Sequence, residues 1–157
     1  MKWYTRDLSR WLTTCSQLHV VRVSDLLSPP FLVVGGDGLV GRAVANYLDC
    51  AGYSVFVTSS RNAQSSVNCV AMDLLKCDAF TFQPSTVLLC ASITNIAHVE
   101  KARDETRKIN VDAITGLARK LHANGSHIIY ISSGGVFGDS SEVMNIATQL
   151  CPANVYG

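Results

Sequence analysis

Long apolar runs are missing from these 157 residues. No stretch approaches the roughly twenty residues of a membrane span. Arg6, Asp7, Arg10 and Arg22 also interrupt the first thirty residues, so no secretory signal core forms there. Neither charge sign is in excess: thirteen Lys and Arg face twelve Asp and Glu, for a net charge of +1. That balance leaves no electrostatic footprint for nucleic acid, and the densest cluster, Glu100 to Lys108, mixes both signs as a solvated helix face does. The six cysteines (Cys15, Cys50, Cys69, Cys77, Cys90, Cys151) contain no CxxC pair. Several lie in apolar runs, where cysteine acts as a small hydrophobe, so a reducing, cytoplasmic compartment is expected. His19, His98, His122 and His127 lack ligand spacing to one another or to the cysteines, which argues against a metal site. Proline is scarce, and the pair Pro29-Pro30 marks a break that sets off residues 1–30 as an extension.

What remains is a 48% hydrophobic, 16% charged composition suited to one well-buried α/β domain. Its most informative stretch is Phe31 to Gly41, FLVVGGDGLVG. A buried strand runs into a glycine turn and then a helix, and glycine lets an anionic group reach the helix's free N–H groups. Two registers fit: Gly35, Gly38 and Gly41 as GxxGxxG, or Gly36, Gly38 and Gly41 as GxGxxG. Helical spacing follows, with Val40, Ala43, Val44, Tyr47, Leu48 and Ala51 apolar, Arg42, Asn46 and Asp49 opposite, and Gly52 at the end. Leu39 and Val40, in the first turn, join Gly35, Gly38 and Gly41 as expected cofactor-binding positions.

Further strands are expected at 53–58, more weakly at 67–72, then at 86–91 and 126–133. A long helix is expected over about 99–123, with a core stripe of Ile109, Ala113, Ile114, Leu117, Ala118 and Leu121. Alternating strands and helices imply a doubly wound parallel sheet of Rossmann type with right-handed crossovers. Ligands then bind beyond the carboxyl ends of the strands. At the second strand's tip, Thr58, Ser59, Ser60 and Arg61 offer hydroxyls and a guanidinium but no acid, which favours NADP over NAD. The other tips offer Asp73, then Ala91, Ser92 and Thr94, then Ser132 and Ser133 before Gly134-Gly135.

Together these residues resemble the extended short-chain dehydrogenase/reductase family, most closely its sugar-nucleotide branch around dTDP-4-dehydrorhamnose reductase, from Phe31 to Gly157. GxxGxxG is that family's register. The resemblance implies that Asp73 and Leu74 lie beside the adenine. CASIT, Cys90 to Thr94, would run along the cofactor, and Asn110 in KINVDAITGLA would lie behind the active site. In SSGGVFG it makes Ser133 the hydroxyl that bonds the substrate oxygen, and in PANVYG it makes Tyr156 the proton-transferring residue. The family's tyrosine works with a lysine four residues later, whose charge favours the phenolate. Position 160 lies beyond residue 157, so the expectation is a fragment of a longer reductase, incomplete at its C-terminus and without the substrate domain.

Two functions follow. One is an NADP-dependent reductase or epimerase acting on a sugar nucleotide, with NAD as the alternative carrier and a homo-oligomer compatible with either. The other is a non-catalytic nucleotide-binding module, a regulatory or redox-sensing role that the resemblance allows. Neither involves nucleic acid or a membrane.

Overall fold

The computed structural model describes residues 27–60, 68–79, 82–138 and 143–157. The expected extension therefore falls almost wholly outside the described residues, as does Arg61.

Five strands form one all-parallel sheet in the order β3-β2-β1-β4-β5. They are β1 (Phe31–Val34), β2 (Val55–Ser59), β3 (Asn68–Ala71), β4 (Thr86–Leu89) and β5 (His127–Tyr130). β1 is buried along its whole length because it is central and covered on both faces, which explains its unbroken apolar run. Its alternate residues feed two cores. Phe31 and Val33 pack with Val55, Val57 and Ala45 of helix α1 (Leu39–Cys50). Leu32 and Val34 pack with Val87, Leu89 and Ile114, Leu117 and Leu121 of helix α4 (Ile114–Ala123). Helices on both faces make the sheet doubly wound, as expected.

Two buried hydroxyls fix the starts of β4 and β5. Thr86 Oγ1 donates to the Ser28 carbonyl at 2.9 Å and accepts from the Ser28 N–H at 3.2 Å. Ser126 Oγ donates to the Pro84 carbonyl at 2.6 Å. Both side chains are thus satisfied inside the fold, as burial demands.

Three sequence expectations are corrected. The strand expected at 126–133 spans only His127–Tyr130 and is half-exposed, because it stands at the sheet edge. The single helix expected over 99–123 is instead α2 (Ile96–Lys101), α3 (Arg103–Arg107), a wider π turn (Lys108–Ala113) and α4. Ala102, at φ −122° and ψ 51°, breaks helical geometry between α2 and α3. On α1 the buried side consists of Gly41 and Ala45, with Val44 and Leu48 half-buried, while Tyr47 is 74% exposed. Periodicity found the right helix but drew its apolar face too wide.

Candidate functional site

In-register pairing aligns the carboxyl ends of the strands: Val34 lies opposite both Thr58 and Leu89, Ser59 opposite Ala71, and Leu89 opposite Tyr130. The chain order reverses between β1 and β4, which makes that edge a topological switch point. A cleft of about 280 Å³ opens there. The glycine turn contributes Gly35, Asp37 and Gly38, and β2 contributes Thr58 and Ser60. The segment after β3 supplies Met72, Asp73, Leu74 and Leu75, the segment after β4 Cys90, Ala91 and Ser92, and the π turn Ile109.

The glycines divide by job. Gly35 has φ +89°, and a Cβ there would lie 2.8 Å from the Ala91 backbone, so the turn nests against the β4 tip only without a side chain. Gly36 faces β2, where a Cβ would meet Val57 Cβ at 2.7 Å. At Gly41 a Cβ would overlap the Gly35 carbonyl, so this glycine lets α1 pack onto the turn. Gly38 differs: a Cβ would meet only the Gly35 oxygen, at 3.4 Å. It caps α1 without a side-chain hydrogen bond, which leaves the first-turn N–H groups to an incoming anion. Both registers therefore hold sterically needed glycines. The turn itself is braced by Thr58, whose Oγ1 accepts from the Gly35 N–H at 3.1 Å and whose carbonyl accepts from the Gly36 N–H at 2.9 Å.

Of the other expected cofactor residues, Ser60, Asp73, Leu74, Ala91 and Ser92 line the cleft. Asp73 also caps the following 3₁₀ turn (Leu74–Ala79): its Oδ1 accepts from the Leu75 N–H at 3.0 Å. Leu39, Val40, Gly41 and Thr94 are not on the cleft wall; Leu39 is 80% exposed. Thr58 of the expected strand tip and Cys90 of the expected CASIT segment also lie on the wall, while Asp37, Met72, Leu75 and Ile109 are wall residues to which no cofactor role was given from sequence. Asp37 had a legible signal, being the one acid inside the glycine motif.

Asn110 explains the π turn. Its Oδ1 accepts from the Ile93 N–H at 2.8 Å and its Nδ2 donates to the Ile93 carbonyl at 2.9 Å. The amide is thereby held against the loop after β4, and an extra residue in the helical turn accommodates it. Its side chain positions the cleft wall.

Ser133 caps the 3₁₀ turn Gly134–Phe137, its Oγ accepting from the Gly135 N–H at 3.1 Å. The segment carrying Tyr156 docks beside it. Cys151 donates its N–H to the Val136 carbonyl at 3.0 Å, and a Cβ on Gly157 would overlap the Gly135 carbonyl. Tyr156 lines a second cavity of about 280 Å³, shared with Thr106 and Asn110. Neither Ser133 nor Tyr156 lines the first cleft.

Glu100 also escaped the sequence reading, because its partner lies 55 positions away. Its Oε1 accepts from the Val155 N–H at 3.0 Å, and Arg103 engages Oε2. The Val155 N–H first, and then Arg103, hold its carboxyl below the usual carboxylate range. A depressed folded value means that this tether acts fully above the unfolded carboxyl's value, near ~4.3, and is lost as pH falls through the lower folded value. The Val155 amide should therefore be protected from hydrogen exchange at pH 6 and lose that protection on acidification below about pH 4. Glu100→Gln should flatten that step.

Cys90 is half-buried, and burial raises its thiol above the ordinary value. Thiol reagents at pH 7.5 should label exposed Cys50, Cys69 and Cys151 roughly tenfold faster than Cys90, read by peptide mass spectrometry. Among the described residues no group of three or more His, Cys, Asp or Glu is placed to hold a metal ion. No described helix is long and apolar enough to cross a membrane.

A glycine turn at a switch point, with a cleft across the strand tips of an all-parallel sheet, defines a Rossmann-type domain. A family model described as the RmlD substrate binding domain matches residues 30–157. The chain belongs to that family. Among curated proteins it is 31% identical over 129 residues to methionine adenosyltransferase 2 subunit beta of Pongo abelii, covering 80% of this chain and 39% of that protein. It is 25% identical over 135 residues to dTDP-4-dehydrorhamnose reductase of Mycolicibacterium smegmatis, covering 85% and 39%. A solved short-chain dehydrogenase/reductase superfamily protein from Agrobacterium tumefaciens with bound NAD superposes with TM-score 0.69 at 28% identity, over 80% of this chain and 40% of that one. The chain thus spans about two fifths of the length of the curated relatives it matches.

Proposed function

We propose that residues 31–157 form the NAD(P)-binding domain of a sugar-nucleotide reductase or epimerase. The observation that carries this reading is the cleft itself: Gly38 leaves the start of α1 open to a pyrophosphate, while Gly35 brings the turn against Ala91. The wall residues fit a dinucleotide along its length. Gly35 and Gly38 would face the pyrophosphate, Ser60 the adenosine ribose, and Asp73 with Leu74 the adenine. Ala91 and Ser92 would follow the chain toward the nicotinamide, which when bound gives or takes hydride. In this reading Ser133 donates a hydrogen bond to the substrate oxygen and Tyr156 transfers the proton there. Asn110 positions the β4 loop. The expectation of NADP rests on Ser60 and on Arg61, which lies outside the described residues.

A second reading is supported by the 31% identity to a methionine adenosyltransferase subunit, namely a regulatory subunit that holds the dinucleotide without turnover. Two assays on the full chain separate them. Consumption of NADH or NADPH with dTDP-4-dehydrorhamnose supports the reductase. Co-purification with a methionine adenosyltransferase catalytic subunit, without such turnover, supports the subunit. Failure to bind either dinucleotide sinks both readings.

A further inference from the structure

Asp37 comes from the glycine turn, yet its carboxylate is tied to the tip of β2. Its Oδ2 accepts a hydrogen bond from Ser59 Oγ at 2.7 Å, across 22 positions of sequence. It shares the cleft wall with Thr58 and Ser60. Dinucleotide sites that take an unphosphorylated ribose commonly carry an acid at this strand tip, where the carboxylate accepts hydrogen bonds from the ribose hydroxyls. Here β2 ends in Thr58 and Ser59, with Ser60 next, and its tip offers no acid of its own. The turn supplies one in its place.

We propose that Asp37 is the specificity-determining residue of this cleft: it accepts the adenosine ribose hydroxyls and excludes a 2′-phosphate, so that the chain takes NAD(H) in preference to NADP(H). The inference rests on the dinucleotide reading above and deepens it. A carboxylate has about four lone-pair sites and the Ser59 bond uses one, so acceptors remain for a ribose diol. A 2′-phosphate would bring a second and third negative charge to the same strand tip. Asp37 is half-buried, where solvent screens such repulsion less than at an open surface. The selection opposes the preference expected from Arg61, and the two side chains make opposite predictions for one measurement.

That measurement uses the full chain and two probes that differ only in the phosphate, ADP-ribose and 2′-phospho-ADP-ribose, titrated calorimetrically at fixed ionic strength. The wild type should bind ADP-ribose at least about tenfold more tightly. Asp37→Asn keeps the shape and an acceptor for Ser59 while removing the charge, and should bring the ratio close to parity. Competition between NADH and NADPH on the wild type decides the matter even if the variant does not fold, with NADH expected to win. Tighter binding of the phosphorylated probe, or an unchanged ratio in an Asp37→Asn protein that still binds ADP-ribose, overturns the assignment while leaving the dinucleotide site standing. Binding of neither probe by the wild type overturns the site and the assignment together.

Discussion

Gly41→Val should weaken dinucleotide binding far more than Gly38→Ala, and only the first should damage the fold. At Gly41 the added Cβ would overlap the Gly35 carbonyl oxygen and lie 2.9 Å from its carbon. Both partners are backbone, so relief requires α1 to lift off the turn. Overpacking of this kind costs about 1–3 kcal/mol, and displacing the helix N-terminus should cut affinity about a hundredfold, close to 2.7 kcal/mol. At Gly38 the backbone is extended (φ −73°, ψ 161°), a conformation any residue adopts, and the added Cβ meets only one atom, at 3.4 Å. Stability should therefore fall by no more than about 1 kcal/mol. Affinity should still drop roughly tenfold, because the methyl group stands on the cleft wall where the pyrophosphate approaches. Thermal melts and calorimetric titrations of both variants check the pair. Equal stability losses would mean that the two glycines share a purely structural role.

Leu117→Ala should be the most destabilising simple truncation on α4. Leu117 is fully buried in the cluster that joins α4 to Leu32, Val34, Val87 and Leu89 of the sheet. Emptying such a site costs about 2–5 kcal/mol through lost transfer energy and the residual cavity, which should lower the melting temperature by roughly 4–20 °C. Tyr47→Ala is the matched contrast. Tyr47 falls in the apolar pattern of α1 but is 74% exposed, so its truncation should stay within about 0.5 kcal/mol of wild type. Denaturant unfolding of the two variants reads the difference directly.

These contrasts also mark where sequence reading succeeds. β1 and the glycine turn were legible because burial on both faces and close backbone approach each demand particular residue types over consecutive positions. The parallel, doubly wound arrangement followed from strand and helix alternation. The π turn was not legible, since it depends on Asn110 bonding Ile93, 17 positions away. Periodicity alone extends one helix through it. β5 was legible as an apolar strand but not in its length, since apolar character over SHIIYISS does not show that pairing with β4 stops at Tyr130. The same limit hid Glu100, an ordinary acid in the sequence whose contact with Val155 exists only once the fold brings the two together. Asp37 was visible as the one acid inside the glycine motif, but its Ser59 partner, 22 positions away, was not.

Binding of a dinucleotide in the strand-tip cleft is tested most directly by backbone amide NMR of the full chain during titration with NADH. Saturable shifts should concentrate at Gly35, Asp37, Gly38, Ser60, Asp73, Leu74, Ala91 and Ser92, with the Leu39 and Val40 amides moving as the helix N-terminus takes up the pyrophosphate. Shifts that do not saturate, or that centre instead on Lys108, Asp112 and Gly116 around the groove beside α4, would contradict it.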